Sequence, residues 1–273
     1  MNDKIDIDLG NVQKTLLLPL WGRAVETQKS NPKLTDNKAV EIISNIDYDF
    51  STIAKNISWI SQYAWVARCI HIDNVIKEFL KLHPEGSIVN IGCGLDTTFE
   101  RIDNDHVHFY DLDLPDVINL RKNFFSNTDR RKMIPCSFLD DTWYREIPKE
   151  NGVLFFAAGV FYYFEEEQIK EFFNSLAAAF INCELFFDSA SPFGVKVANQ
   201  KVIKEGGMDE TAILKWGIKE PRQMESWHKN IKLINCYPMF RKMKKGLSFK
   251  MKYGLWLSDT LKIMSMVHLK IGE

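Results

Sequence analysis

The sequence has few cysteines and arranges none of them for chemistry. The five, Cys69, Cys93, Cys136, Cys183 and Cys236, are odd in number, far apart and set among apolar residues, with no C-x-x-C pair. That excludes a disulfide framework and a cysteine-based zinc site, and predicts buried, reduced thiols and a cytoplasmic location. Excess charge is missing too: 35 Lys and Arg stand against 36 Asp and Glu, a formal net charge of -1. Such a balance supplies no long-range field for nucleic acid or an anionic membrane, so neither is expected as a partner and a small molecule is. The longest nearly unbroken apolar run, Val153 to Phe164, is shorter than the ~20 residues a spanning helix needs. Met1 to Asp6 is polar and lacks the basic and apolar regions of a signal peptide, so no export is expected. There is no G-x-S-x-G, which leaves a serine hydrolase unsupported. His106 and His108 have no Cys, Asp or Glu pattern to complete a metal site. The basic run Arg241 to Lys245 reads as a solvated turn in a balanced chain.

What is present is a core: 45% of residues are hydrophobic, enough for one α/β domain with a lid. Without repeats, low-complexity tracts or clustered prolines, residues 1–273 read as a single unit. Apolar residues recur at helical spacing over 38–46 and 58–82, and His83-Pro84-Glu85-Gly86 stops the second helix. Strands are expected at 87–91, 107–113, 132–137, 153–157 and 184–188, with helices at 116–125 and 165–181 between them. This alternation implies a doubly wound, mostly parallel sheet covered on both faces. Residues 1–83 are then an N-terminal helical lid and 84–190 the ligand-binding core. Residues 191–230 read as a helical insertion beside the sheet's carboxyl edge, and 231–273 as closing strands and a helix.

The segment Asn90-Ile91-Gly92-Cys93-Gly94-Leu95-Asp96 ends the first of these strands. A G-x-G there lets backbone approach a ligand closely, and the next helix is expected to present free N–H groups. Asp113, nineteen residues after Gly94 and at the end of the second strand, can accept hydrogen bonds from two ribose hydroxyls. The layout suits a dinucleotide or S-adenosylmethionine. A dinucleotide fingerprint asks for a third glycine where this chain has Thr97, whereas a sulfonium ligand asks for nearby acids, which Asp96 and Asp111 supply.

Ile88 to Thr98, followed by Tyr110-Asp111-Leu112-Asp113-Leu114-Pro115 and a helix with Arg121-Lys122, resembles the leucine carboxyl methyltransferase family. The likeness extends to Pro19-Leu20-Trp21-Gly22-Arg23-Ala24, Ala67-Arg68, Ser137-Phe138-Leu139-Asp140 with Trp143, and Ala157 to Tyr163. It implies a seven-stranded class I methyltransferase fold, Rossmann-like, with S-adenosylmethionine as cofactor. By the same resemblance, Arg68 pairs with the methionine carboxylate, Gly92, Cys93 and Gly94 form the loop under the methionine, and Asp113 is the ribose acid. Ser137 and Phe138 lie near the adenine. Ala158 stands where eukaryotic members carry a glutamate, which points to the bacterial small-molecule branch rather than to protein methyl-ester formation.

The expected reaction is O-methylation of a small-molecule hydroxyl or carboxyl group. A carboxylate needs no base, while a hydroxyl would use one, for which Tyr162, Tyr163 and His228 are nearby candidates; no base is assigned. Arg23, Tyr162 and Tyr163 are candidate acceptor contacts. A nicotinamide-dependent oxidoreductase and a catalytically silent S-adenosylmethionine-binding protein are the alternatives.

Overall fold

The computed structural model describes residues 4–272. The reading of Met1 to Asp6 therefore lies half outside the described residues.

The N-terminal part is built from helices α1 (Leu17–Thr27), α2 (Asn37–Asn45), α3 (Ser51–Asn56) and α4 (Trp59–Leu82). Strands β1 (Ile5–Asp6) and β2 (Ile46–Asp47) form a two-residue parallel pair beside them. Asp36 caps α2 by accepting from the N–H of Ala39, and Ser58 caps α4 by accepting from that of Ser61. α4 buries residues around its whole circumference, because α1 covers one side and β6 (Val153–Ala157) and β7 (Cys183–Ala190) cover the other.

The remaining strands are β3 (Ser87–Ile91), β4 (His108–Asp113), β5 (Arg131–Pro135), β8 (Ile231–Pro238) and β9 (Met264–Ile271). They join β6 and β7 in a seven-stranded sheet ordered β5-β4-β3-β6-β7-β9-β8, in which β9 alone runs opposite to the other six strands. The short α5 (Phe99–Ile102), α6 (Pro115–Arg121) and α7 (Glu166–Ala179) are the crossovers. A reciprocal capping box between Glu165 and Gln168 starts α7. Alternate residues of the central strands enter opposite cores: Val89, Phe155 and Phe187 pack on the α7 side, Ile88, Phe156 and Phe186 on the α4 side. Both faces are buried, which is why these strands are apolar throughout.

The expected strands are all present. Pro135 ends β5 at the sheet's edge, where its missing N–H breaks no ladder. The 191–230 stretch departs from the expected helical insertion. Only α8 (Pro192–Ala198) and a π-helical continuation over Asn199–Lys204 are extended helix. Beyond Gly207, whose φ of +77° ends the run, the chain has two short 3₁₀ turns, with Leu214 and Trp216 buried in an irregular connection. α9 (Phe249–Thr260) precedes the last strand.

Candidate active site

β3 turns outward to one side of the sheet through β4, and β6 to the other through β7, so a crevice opens at their carboxyl ends. A cavity of about 770 Å³ occupies it, within the roughly 300–1,000 Å³ typical of small-molecule sites. Arg68, Gly92, Cys93, Gly94, Asp113, Ser137, Phe138, Ala158, Tyr162 and Tyr163 all line it.

The loop after β3 is held from below. Gly92 and Gly94 have φ of +64° and +47°, conformations that L side chains rarely adopt. The N–H groups of Gly92 and Cys93 both donate to the carbonyl of Leu112, at 2.8 and 3.1 Å. That of Gly94 donates to Oδ2 of Asp113 at 2.7 Å. These three donors are thus engaged within the protein. The next helix, expected to present free N–H groups, is α5, a single turn. With Asp96 and Asp113 on the same wall, the loop presents negative charge, which opposes a pyrophosphate and suits a cationic sulfonium. Burial raises the carboxyl of Asp96, but Arg101, Arg23 and the Thr98 hydrogen bonds outweigh it and leave it below the usual carboxylate range.

Thr97, at the position where a dinucleotide fold has glycine, has a reason of its own. Its hydroxyl donates to Asp36 and accepts from Nη1 of Arg101 at 2.7 Å. Arg101 grips Asp73 through Nε and Nη2, at 2.8 and 2.9 Å. Arg23 also lines the cavity and is held by this network: Nε donates to Asp36 at 2.8 Å and Nη2 to the Leu95 carbonyl at 2.9 Å. The expectation for Asp111 is corrected. It is fully buried, held by Arg121 and Arg131 at 2.9 Å each, and supplies no free acid to the cavity. Arg121 also donates to the carbonyl of Gly94 at 2.8 Å, so the Asp111–Arg121 pair supports the loop.

Asp113 remains available. Its oxygens accept from Gly94 and, at 2.8 Å, from Leu114, which leaves each with a lone pair for a further donor. Burial pushes its carboxyl up to about 6, against the lowering effect of those two N–H groups.

At the opposite end of the crevice, Nη1 of Arg68 donates to Oδ2 of Asp188 at 3.0 Å and to the Tyr162 hydroxyl at 3.2 Å. The N–H of Gly159 donates to the other Asp188 oxygen at 2.7 Å. Nε of Arg68 is buried without a partner. Arg68 lines the cavity, and a guanidinium with a donor left unpaired fits a ligand carboxylate. Asp188, which orients Arg68, was missed in the sequence. Its signal was an acid ending the apolar strand Glu184-Leu185-Phe186-Phe187, where a buried carboxylate requires a cation.

Neither tyrosine is poised as a base. Burial, with Asp188 adding to it, raises the Tyr162 phenol far above its ordinary value, and burial raises that of Tyr163, which donates to Thr15 at 3.1 Å. His228 is not part of the cavity wall. The Cys93 thiol is buried and its pKa is raised well above the ordinary value by desolvation. Ser137 and Phe138 follow β5, with Phe138 wedged edge-on among Phe161, Phe164 and Phe172. Ala158 follows β6 and contributes only a methyl group. All five cysteines are free thiols.

The leucine carboxyl methyltransferase family profile matches residues 17–177. The tetracenomycin polyketide synthesis O-methyltransferase TcmP of Streptomyces glaucescens is 31% identical over 222 residues, covering 81% of this chain and 80% of that one. The S-adenosyl-L-methionine-dependent methyltransferase dpfgK of Gibberella zeae is 25% identical, covering 82% and 81%. Among solved structures, a DUF574 family protein from Streptomyces avermitilis shares the fold at 10% identity. Its TM-score is 0.58, with coverage of 92% of this chain and 97% of that one. The chain belongs to the leucine carboxyl methyltransferase family and is a methyltransferase whose cofactor is S-adenosylmethionine.

Proposed function

We propose that this enzyme methylates an oxygen of an apolar small molecule, and that the acceptor oxygen is one that ionises by itself near neutral pH, a carboxyl or an acidic phenol. The observation that carries this reading is the state of the titratable groups in the cavity wall. Arg68 and Asp188 neutralise one another, the two tyrosine hydroxyls are held protonated, and the carboxylates of Asp96 and Asp113 belong to the glycine-loop wall. The acceptor half is built from apolar side chains such as Phe193, Val197, Leu214 and Leu257. Lys201 stands there too, paired with Glu205.

The cofactor, when bound, supplies a methyl group on a sulfonium that leaves without protonation. Arg68 would take the amino-acid carboxylate and Asp113 the ribose hydroxyls, leaving Asp96 to offset positive charge. Ser137 and Phe138 would border the adenine. The apolar walls then exclude water and bring an anionic oxygen toward a cationic donor. Charges that cancel during transfer are favoured by a dry surrounding, and positioning supplies the rest.

The test is incubation with S-adenosylmethionine and graded sets of apolar carboxylic acids, phenols and alcohols, following S-adenosylhomocysteine. Turnover should be confined to acids and acidic phenols, and the pH dependence of kcat/KM should track the acceptor's pKa. Turnover on aliphatic alcohols alone, or a limb that stays put as acceptor acidity changes, would refute the reading. No product with any acceptor would favour a silent binding protein.

A further inference from the structure

α9 turns its apolar side the wrong way for a soluble helix. Its buried residue is Leu255, while Phe249, Tyr253 and Trp256 lie together on the other side, 87%, 56% and 51% exposed. At helical spacing Lys250 and Lys252 fall on the two flanks of that aromatic ridge. The charge around it is one-sided. From Ser226 to Ser258 the sequence holds eight Lys or Arg and no Asp or Glu, a segregation that the chain's overall balance conceals. Lys244 pairs with Asp259. Among the described residues Arg241, Lys242, Lys245, Lys250 and Lys252 form no ion pair. The ridge also adjoins the cavity's rim, since Leu257 and Leu261 both line the cavity and are 41% and 46% exposed.

We propose that α9 is an interfacial docking surface for anionic lipid. The aromatic ridge enters the headgroup region, the flanking lysines meet lipid phosphates, and the cavity rim faces the membrane. At 12 residues the helix is ~18 Å long and lies on a bilayer rather than crossing it. No helix of the described residues is long and apolar enough to cross. A second copy of the chain suits the ridge poorly, because α9 against α9 would set lysine flank against lysine flank, and the one acid of the helix, Asp259, is already paired with Lys244. The inference stands on exposure and charge and is independent of the acceptor class proposed above.

Co-sedimentation with phosphatidylcholine vesicles, with and without phosphatidylglycerol, tests it on the full chain. The wild type should pellet with phosphatidylglycerol vesicles and be released as salt is raised. Phe249→Ser with Trp256→Ser should abolish pelleting. Lys250→Glu with Lys252→Glu should weaken it at least about 25-fold, at about fivefold for each lysine at an anionic surface. None of these four residues lines the cavity, so both variants should bind S-adenosylhomocysteine as the wild type does. A wild type that stays in the supernatant with both vesicle types overturns the proposal, as does a serine variant that pellets unchanged. A concentration-dependent dimer by light scattering that the serine variant dissolves would instead assign the ridge to self-association.

Discussion

Asp113 makes the site's most exacting prediction, because its carboxylate both shapes the glycine loop and remains open to a ligand. Its pKa is about 6 in the folded chain, since burial penalises the charged form more than the N–H groups of Gly94 and Leu114 favour it. Ribose hydroxyls donate best to the ionised form, so cofactor binding should lower that pKa and release a proton. Affinity for S-adenosylhomocysteine should therefore fall as pH drops through 6, about tenfold between pH 7 and pH 5. Asp113→Asn has one acceptor oxygen for two backbone N–H groups and should lose about 1.5–3 kcal/mol, roughly ten- to hundredfold in Kd. It should also lose the pH step. The linkage has a second consequence of opposite sign. Between about 4, where an unfolded aspartate titrates, and about 6 the folded chain holds more protons. Its stability from this group therefore declines as pH rises, by roughly 3 kcal/mol in all. The measurements are titration calorimetry from pH 5 to 8 and urea unfolding of both proteins, with circular dichroism to verify folding. A wild-type affinity that stays flat over that range, or an asparagine variant with the same step, would refute the argument.

Other outcomes follow from neighbouring residues. Gly159→Ala would set a Cβ 2.6 Å from Nη1 of Arg68 and 2.8 Å from the Tyr162 hydroxyl, at a φ of +79°. A cost of about 1–3 kcal/mol in thermal or urea unfolding is expected, together with weakened cofactor binding because Arg68 is displaced. Tyr162→Phe and Tyr163→Phe should each retain kcat within about tenfold, where loss of a general base costs ~10²–10⁴; a larger loss with an acidic acceptor would restore one of them as a base. Arg101→Met strands Asp73 and removes a support of the Thr97 turn, so unfolding free energy should drop by about 3–5 kcal/mol.

The loop under the cofactor shows how local and distant information divide. Gly92, Gly94 and Asp113 were legible because strand ends, positive-φ glycines and an acid one crossover later are spaced by the chain itself. The alternation of apolar strands with helices was legible for the same reason: sheet faces and helix stripes impose their period on neighbouring residues. Arg68 was reached only by family resemblance, since an arginine on a long helix carries no local mark.

What only the folded chain decided are the partnerships among charges. Arg23, Asp111 and Arg121 look available in the sequence, yet burial obliges each to find an opposite charge, and that charge comes from another element. Asp188 takes on a site role because β7 ends opposite α4, 120 residues from Arg68 in sequence. The same holds for the ridge on α9: its aromatics and lysines are visible in order, but their common exposure beside the cavity's rim depends on Leu255 being the side chain that packs inward. Sequence period sets which elements form and where backbone can turn. Which charges are neutralised and which surfaces stay uncovered depends on contacts between residues far apart in the chain.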